Sequence, residues 1–208
     1  MTCDENDSGQ PEGEPIPEGF ELHPDRVDIV LLGQSAAATT EVGFRLARQL
    51  RRPFVSCQSL FLAHHDRAPR EVFEQEGPQA LRQLQRRMAE IAMTSRSSII
   101  FAGSSYMLSS DLAEFRGTFG RAWVVWLDAS PEALARLIDE GERWRFSHDL
   151  LADLQRDDER IRPLLRGSVD LHLDTDHLSH EAQVAAVAST WERRRRDHEL
   201  AADMSRAG

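Results

Sequence analysis

Eight residues lying between an apolar run and an amphipathic stretch carry the first chemistry to be weighed in this chain: Gly33-Gln34-Ser35-Ala36-Ala37-Ala38-Thr39-Thr40. A turn leading from a buried strand into a helix holds anions, because its backbone N–H groups converge at the positive end of the helix. When the anion is a polyphosphate, such a turn uses glycine where backbone meets ligand and a lysine to neutralise charge. Here Gly33 opens the turn, but Ala36 and Ala38 stand inside it and Thr39 precedes the Thr40 hydroxyl. Forcing one L-residue into the left-handed region costs about 1–2 kcal/mol, so two alanines lead us to expect a remodelled turn. Gly33, Ser35, Ala38, Thr39 and Thr40 remain the candidate phosphate contacts, with the Thr40 hydroxyl able either to meet Mg²⁺ or to cap the helix.

Other reactive side chains point to less. His64-His65-Asp66 places adjacent imidazoles on diverging directions of a helix with no third ligand at metal spacing, so no metal site is expected. Cys3 and Cys57 are too few and too far apart for a disulfide framework or a zinc site, and Cys57 reads as a small buried hydrophobe. All 25 basic residues are arginine, so any chemistry that needs a lysine amine is excluded.

The elements that must position these groups follow from periodicity. Short apolar runs predict strands at 27–33, 53–57, 99–103, 122–128 and 169–173, alternating with helical patterns at 41–51, 68–94, 131–139, 148–160 and 179–196. Gly77-Pro78 divides the second helical pattern, a short helix is expected near 111–115, and Ser130-Pro131 reads as a cap followed by proline at the first helical position. This order predicts a three-layer α/β fold: a five-stranded parallel sheet flanked by helices.

Length and charge set the boundaries. A chain of 208 residues with 40% apolar side chains builds one core. Residues 1–24 are rich in Asp, Glu, Gly, Ser and Pro, so a disordered acidic tail is expected, then a domain over 25–197 and a flexible end over 198–208. Residues 1–25 hold eight acidic side chains and no arginine, which accounts for all but two of the net charge of −10. The folded part is therefore almost neutral, and no nucleic-acid footprint is expected. No apolar run approaches the roughly 18 residues of a membrane helix, and without a basic and then apolar opening stretch no secretory signal is expected. A cytoplasmic location is the expectation.

The register of the motifs resembles shikimate kinase and, more broadly, the nucleoside-monophosphate-kinase-like branch of P-loop proteins. The family's G-x-x-G-x-G-K-[ST]-T-x-G-x-x-L-A is matched by Gly33, Ala36, Ala38, Thr39, Thr40, Glu41, Gly43, Leu46 and Ala47, without the lysine. Its F-x-D-x-D reads Phe54-Val55-Ser56-Cys57-Gln58, without either carboxylate. Its F-x-x-E-G-E-x-x-F-R survives in large part as residues 73–82, its triple glycine as Gly103-Ser104-Ser105, and the ending shared with cytidylate kinases as 160–165 and 170–175. The resemblance implies a helical lid carrying Arg143 and Arg145 around Trp144. It also implies an anionic-substrate site at Arg82, Gly103, Ser104 and Ser105, the arginine acting as a bidentate fork.

Loss of the loop lysine removes a charge clamp worth several kcal/mol of barrier in phosphoryl transfer. The sequence alone therefore leads to the expectation of a non-catalytic relative that binds a small anionic ligand or a protein partner, with ATP and Mg²⁺ as cofactors only under the alternative. That alternative is an active ATP-dependent kinase of shikimate or a nucleoside monophosphate, in which arginines replace the lysine. A third reading is a regulatory or interaction module.

Overall fold

The computed structural model describes residues 27–34, 36–103, 117–138 and 140–207. The acidic tail, Ser35, Ser104, Ser105 and the short helix expected near 111–115 lie outside them. The described elements are β1 (Ile29–Leu32), α1 (Ala36–Leu50), β2 (Phe54–Ser56), α2 (Cys57–His65), α3 (Pro69–Ala92), β3 (Ile99–Phe101) and β4 (Trp123–Asp128). Then come α4 (Pro131–Leu137), a 3₁₀ turn (Arg143–Arg145), α5 (Leu150–Arg166), β5 (Leu171–Asp174) and α6 (His180–Ala207).

The five strands form one parallel sheet in the order β2-β3-β1-β4-β5. β1 lies at its centre, with Ile29 opposite both Ile99 of β3 and Trp123 of β4. A strand covered on both faces must be apolar throughout, and all four residues of β1 are fully buried. Side chains of a strand alternate between faces, so Val30, Leu32, Ile100, Val124 and Trp126 pack with α2, α3 and α5. Ile29, Leu31, Ile99, Trp123, Val125 and Leu127 pack on the opposite face with α1 and α6. That division creates the three layers.

Local chemistry fixes the helix ends. The Ser130 hydroxyl accepts the Ala133 N–H at 3.2 Å to start α4, with Pro131 at the first helical position. Asp149 caps α5 through the Ala152 N–H. Within α3 the helical path breaks at Gly77 (φ 85°), where glycine tolerates a conformation that a side chain would strain, and Pro78 follows it.

Several boundaries move from the sequence reading. α1 starts at Ala36 rather than Glu41, because alanine is the strongest helix former and draws the turn into the helix. Cys57 opens α2, an element the periodicity did not reveal, with the Ser56 hydroxyl accepting the Ser59 N–H as its cap. α5 continues through Pro163 to Arg166, and α6 runs on to Ala207 where the pattern had ended near Arg196. Among the described residues no helix is long and apolar enough to cross a membrane.

Candidate functional site

Two cavities open where strands reach their carboxyl ends, the rim at which open α/β sheets hold ligands. The smaller, about 310 Å³, lies against the first turn of α1 and is lined by Gln34, Ala38, Thr39, the end of β4, α4 and the residues between β5 and α6. Its far wall is braced by hydrogen bonds: Asp176 accepts the Ser130 N–H at 2.7 Å, and Thr175 donates its N–H and hydroxyl to the Asp128 carbonyl at 2.7 and 2.8 Å. At its near wall Thr39 is 3% exposed and packs against Gly33. The first turn of α1, through Ala38 and Thr39, brings the positive end of that helix to the cavity wall.

The larger cavity, about 380 Å³, is framed by β3, α2, α3 and the 3₁₀ turn. Phe61, Phe101 and Trp144 supply an apolar wall, while Gln58, Arg70, Gln85, Glu142 and Arg145 supply polar groups. Trp144 meets Phe73 of α3 edge-on at 5.3 Å between ring centroids, which anchors the turn to α3. Arg145 lies 5.2 Å over the Phe146 ring, and burial pushes its guanidinium below the usual arginine range despite the pull of Glu142 and Asp157. The side-chain oxygen of Gln85 is buried with no hydrogen-bond partner among the described residues. Burial also pushes the Cys57 thiol up to about 12, so it stays protonated.

The end of β4 also carries a polar cluster. Asp128, at the end of β4 and 5% exposed, is gripped by both terminal nitrogens of Arg162 from α5, whose Nε donates to Asp158 at 2.9 Å. The Nε2 of His172 meets the same Asp128 carboxylate at 2.7 Å, and its ring stacks on Trp126 with centroids 4.5 Å apart. Hydrogen bonding to Asp158 and the charge of Asp128 hold the Arg162 guanidinium above its usual range, so it is a permanent cation. This cluster ties β4, β5 and α5 together.

The residues singled out by sequence divide accordingly. Gly33, Ala38 and Thr39 come together at the smaller cavity, and Thr40 follows on α1. Gly103, with φ of 89°, and Arg145 come together at the larger. Arg82 does not join them: it lies exposed on α3 and lines neither cavity, and Arg143, in the 3₁₀ turn, lines neither as well. Gln58 stands at the larger cavity where a carboxylate was read as missing, and Ser56 is engaged as the α2 cap. Arg70, Gln85 and Glu142 escaped the sequence reading because isolated polar residues in helical or charged segments look like solvated faces. Among the described residues no group of three or more His, Cys, Asp or Glu is placed to hold a metal.

A parallel 2-3-1-4-5 sheet with a helix start at the central strand and a second cavity under a turn of charged residues defines the class of small P-loop kinases. The shikimate kinase family profile matches residues 35–192, and the chain belongs to that family. It is 27% identical over 173 residues to the shikimate kinase of Syntrophus aciditrophicus, covering 76% of this chain and 88% of that enzyme. Identity reaches 32% over 108 residues with the shikimate kinase of Symbiobacterium thermophilum, covering 52% of this chain and 61% of that one. The Acinetobacter baumannii shikimate kinase, solved with shikimate, superposes with a TM-score of 0.74 at 18% identity, over 81% of this chain and 94% of that one. These findings correct the expectation of a non-catalytic protein. Relatives that span most of the chain are kinases, which supports an active phosphotransferase.

Proposed function

We propose that this chain is an ATP-dependent kinase that phosphorylates a hydroxyl of a small, anionic, shikimate-like acceptor. The observation that carries the reading is the pair of cavities at one rim of the sheet, in a chain of the shikimate kinase family. The smaller cavity, against the first turn of α1, takes the phosphoryl donor. The larger offers an acceptor the two cations Arg70 and Arg145 for its negative group and the amides Gln58 and Gln85 for its hydroxyls.

In this reading the phosphate turn is atypical. With alanines drawn into α1 and no lysine in the chain, the helix N-terminus replaces the usual glycine-and-lysine cradle. Magnesium retains water and binds proteins through one or two carboxylates plus substrate phosphates, and Asp176 is the carboxylate among the described residues that line the smaller cavity. The Thr40 hydroxyl would be the loop's ligand. When bound, the ion neutralises charge that develops on the transferring phosphoryl group.

The test is ADP release, coupled to a dehydrogenase readout, with MgATP and a panel of acceptors comprising shikimate, related hydroxy acids and nucleoside monophosphates. Turnover with shikimate or a close analogue is the expected result. Rates indistinguishable from the acceptor-free background across the panel would overturn the reading.

A further inference from the structure

We propose that Glu142 is the general base that takes the proton of the acceptor hydroxyl; the proposal rests on the kinase reading above. As the hydroxyl oxygen bonds to the γ-phosphorus, the bond from that phosphorus to the β,γ-bridging oxygen breaks and its electron pair leaves with ADP. The hydroxyl proton must pass to some group, and the lining of the larger cavity narrows the choice.

Among the described residues that line it, Glu142 is the only carboxylate and no histidine is present. Gln58 and Gln85 are amides and cannot take a proton at neutral pH, and arginines 70 and 145 cannot give one up to become bases. The Cys57 thiol, buried in the floor, stays protonated. Gln58 of α2 lines the same cavity but is an amide, so the carboxylate comes from the residue that precedes the 3₁₀ turn.

The fold holds Glu142 in place. It immediately precedes the 3₁₀ turn, its carbonyl accepts the Arg145 N–H at 3.4 Å, and its carboxylate lies 3.9 Å from the Arg145 guanidinium. Both side chains are only 17% exposed. The Trp144 contact with Phe73 fixes the turn to α3, the helix that also brings Gln85 to the cavity. Gln85 can then accept from a second hydroxyl and aim the first at Glu142.

Steady-state kinetics of Glu142→Gln, Glu142→Asp and the double variant Glu142→Gln/Gln58→Asp test the assignment. General-base loss predicts that Glu142→Gln lowers kcat by roughly 10²–10⁴-fold with little change in acceptor KM, and abolishes the acid limb of the kcat–pH profile. Glu142→Asp keeps the limb and more activity, and adding Gln58→Asp to the Glu142→Gln variant restores activity from α2. The charged groups around Glu142 in that profile are Arg145 of its own turn and, through Arg145, Asp157 of α5, with Arg70 of α3, paired to Glu74, lining the same cavity. An unchanged kcat and acid limb in Glu142→Gln overturns the proposal, as do equal losses in the Gln and Asp variants. Wild-type protein without turnover on any acceptor overturns the kinase reading and this proposal together, and so separates that failure from the first two.

Discussion

The hydroxyl of Thr39 occupies the space that a side chain on Gly33 would need: a Cβ there would lie 2.1 Å from Thr39 Oγ1. Gly33 is therefore required by a close approach, and Thr39 is a packed, buried side chain.

Gly33→Ala is expected to destabilise the protein by about 1–3 kcal/mol, the usual cost of overpacking a filled site. Thr39→Ala in the same chain removes the clashing oxygen and recovers much of the loss. A double-mutant cycle by urea unfolding measures the coupling between the two, and additive effects would show that the contact does not govern this turn.

Asp128→Asn leaves the Arg162 guanidinium and His172 facing a neutral amide inside the sheet edge. Breaking a buried pair on one side costs roughly 3 kcal/mol, and the second carboxylate, Asp158, moderates it by retaining Arg162. Chemical denaturation of Asp128→Asn, Arg162→Met and the double variant gives the coupling, which should be largest for this pair among the described ion pairs. The exposed Arg70 and Glu74 pair should give less than about 1 kcal/mol in the same cycle.

Asp153 contributes to the response to acid. Hydrogen bonds from Ser147, and after them Arg156, hold its carboxyl below the ordinary aspartate range. For an acid with a depressed folded-state pKa, stability is present above the unfolded value, near pH 4, and is lost as pH falls through the folded value. Asp153→Asn should thus lower the urea midpoint at pH 7 and flatten its fall below pH 4. A midpoint that falls as steeply as in the parent would remove Asp153 from the acid response.

Arg145→Met should raise the acceptor KM roughly 10–100-fold, since hydrogen bonds to charged groups are worth about 1.5–3 kcal/mol, with a smaller effect on kcat. Arg82→Ala should change both constants by no more than about twofold, as expected of a surface substitution, because Arg82 lies exposed and away from both cavities. Michaelis parameters for the two variants decide whether Arg82 or Arg145 provides an anion contact.

Most of the fold was legible because its signals are local. Strands buried on both faces read as unbroken apolar runs, as in Ile29–Leu32 and Trp123–Asp128, and caps such as Ser130 announce helix starts within three residues. α2 was not legible, since Leu60, Phe61 and Leu62 are adjacent and give no clear amphipathic period. The cluster of Asp128, Arg162 and His172 was hidden for another reason: three elements distant in sequence meet only once the sheet is assembled. An aspartate closing an apolar strand was the available clue. The candidate site shows the same split, with the turn at Gly33 readable as a motif and Glu142 readable only from the cavity it lines.

The central place of β1 has a consequence for how the chain reaches its native state. Its two neighbours are β3 and β4, so Ile29 has no strand partner until Ile99 and Trp123 have been synthesised and brought to it. Pairings this distant in sequence form slowly and leave apolar edges open meanwhile. β1, the first of the described strands to be made, is therefore among the last to be secured on both edges, and the α1 start that it positions matures only when the sheet closes around it.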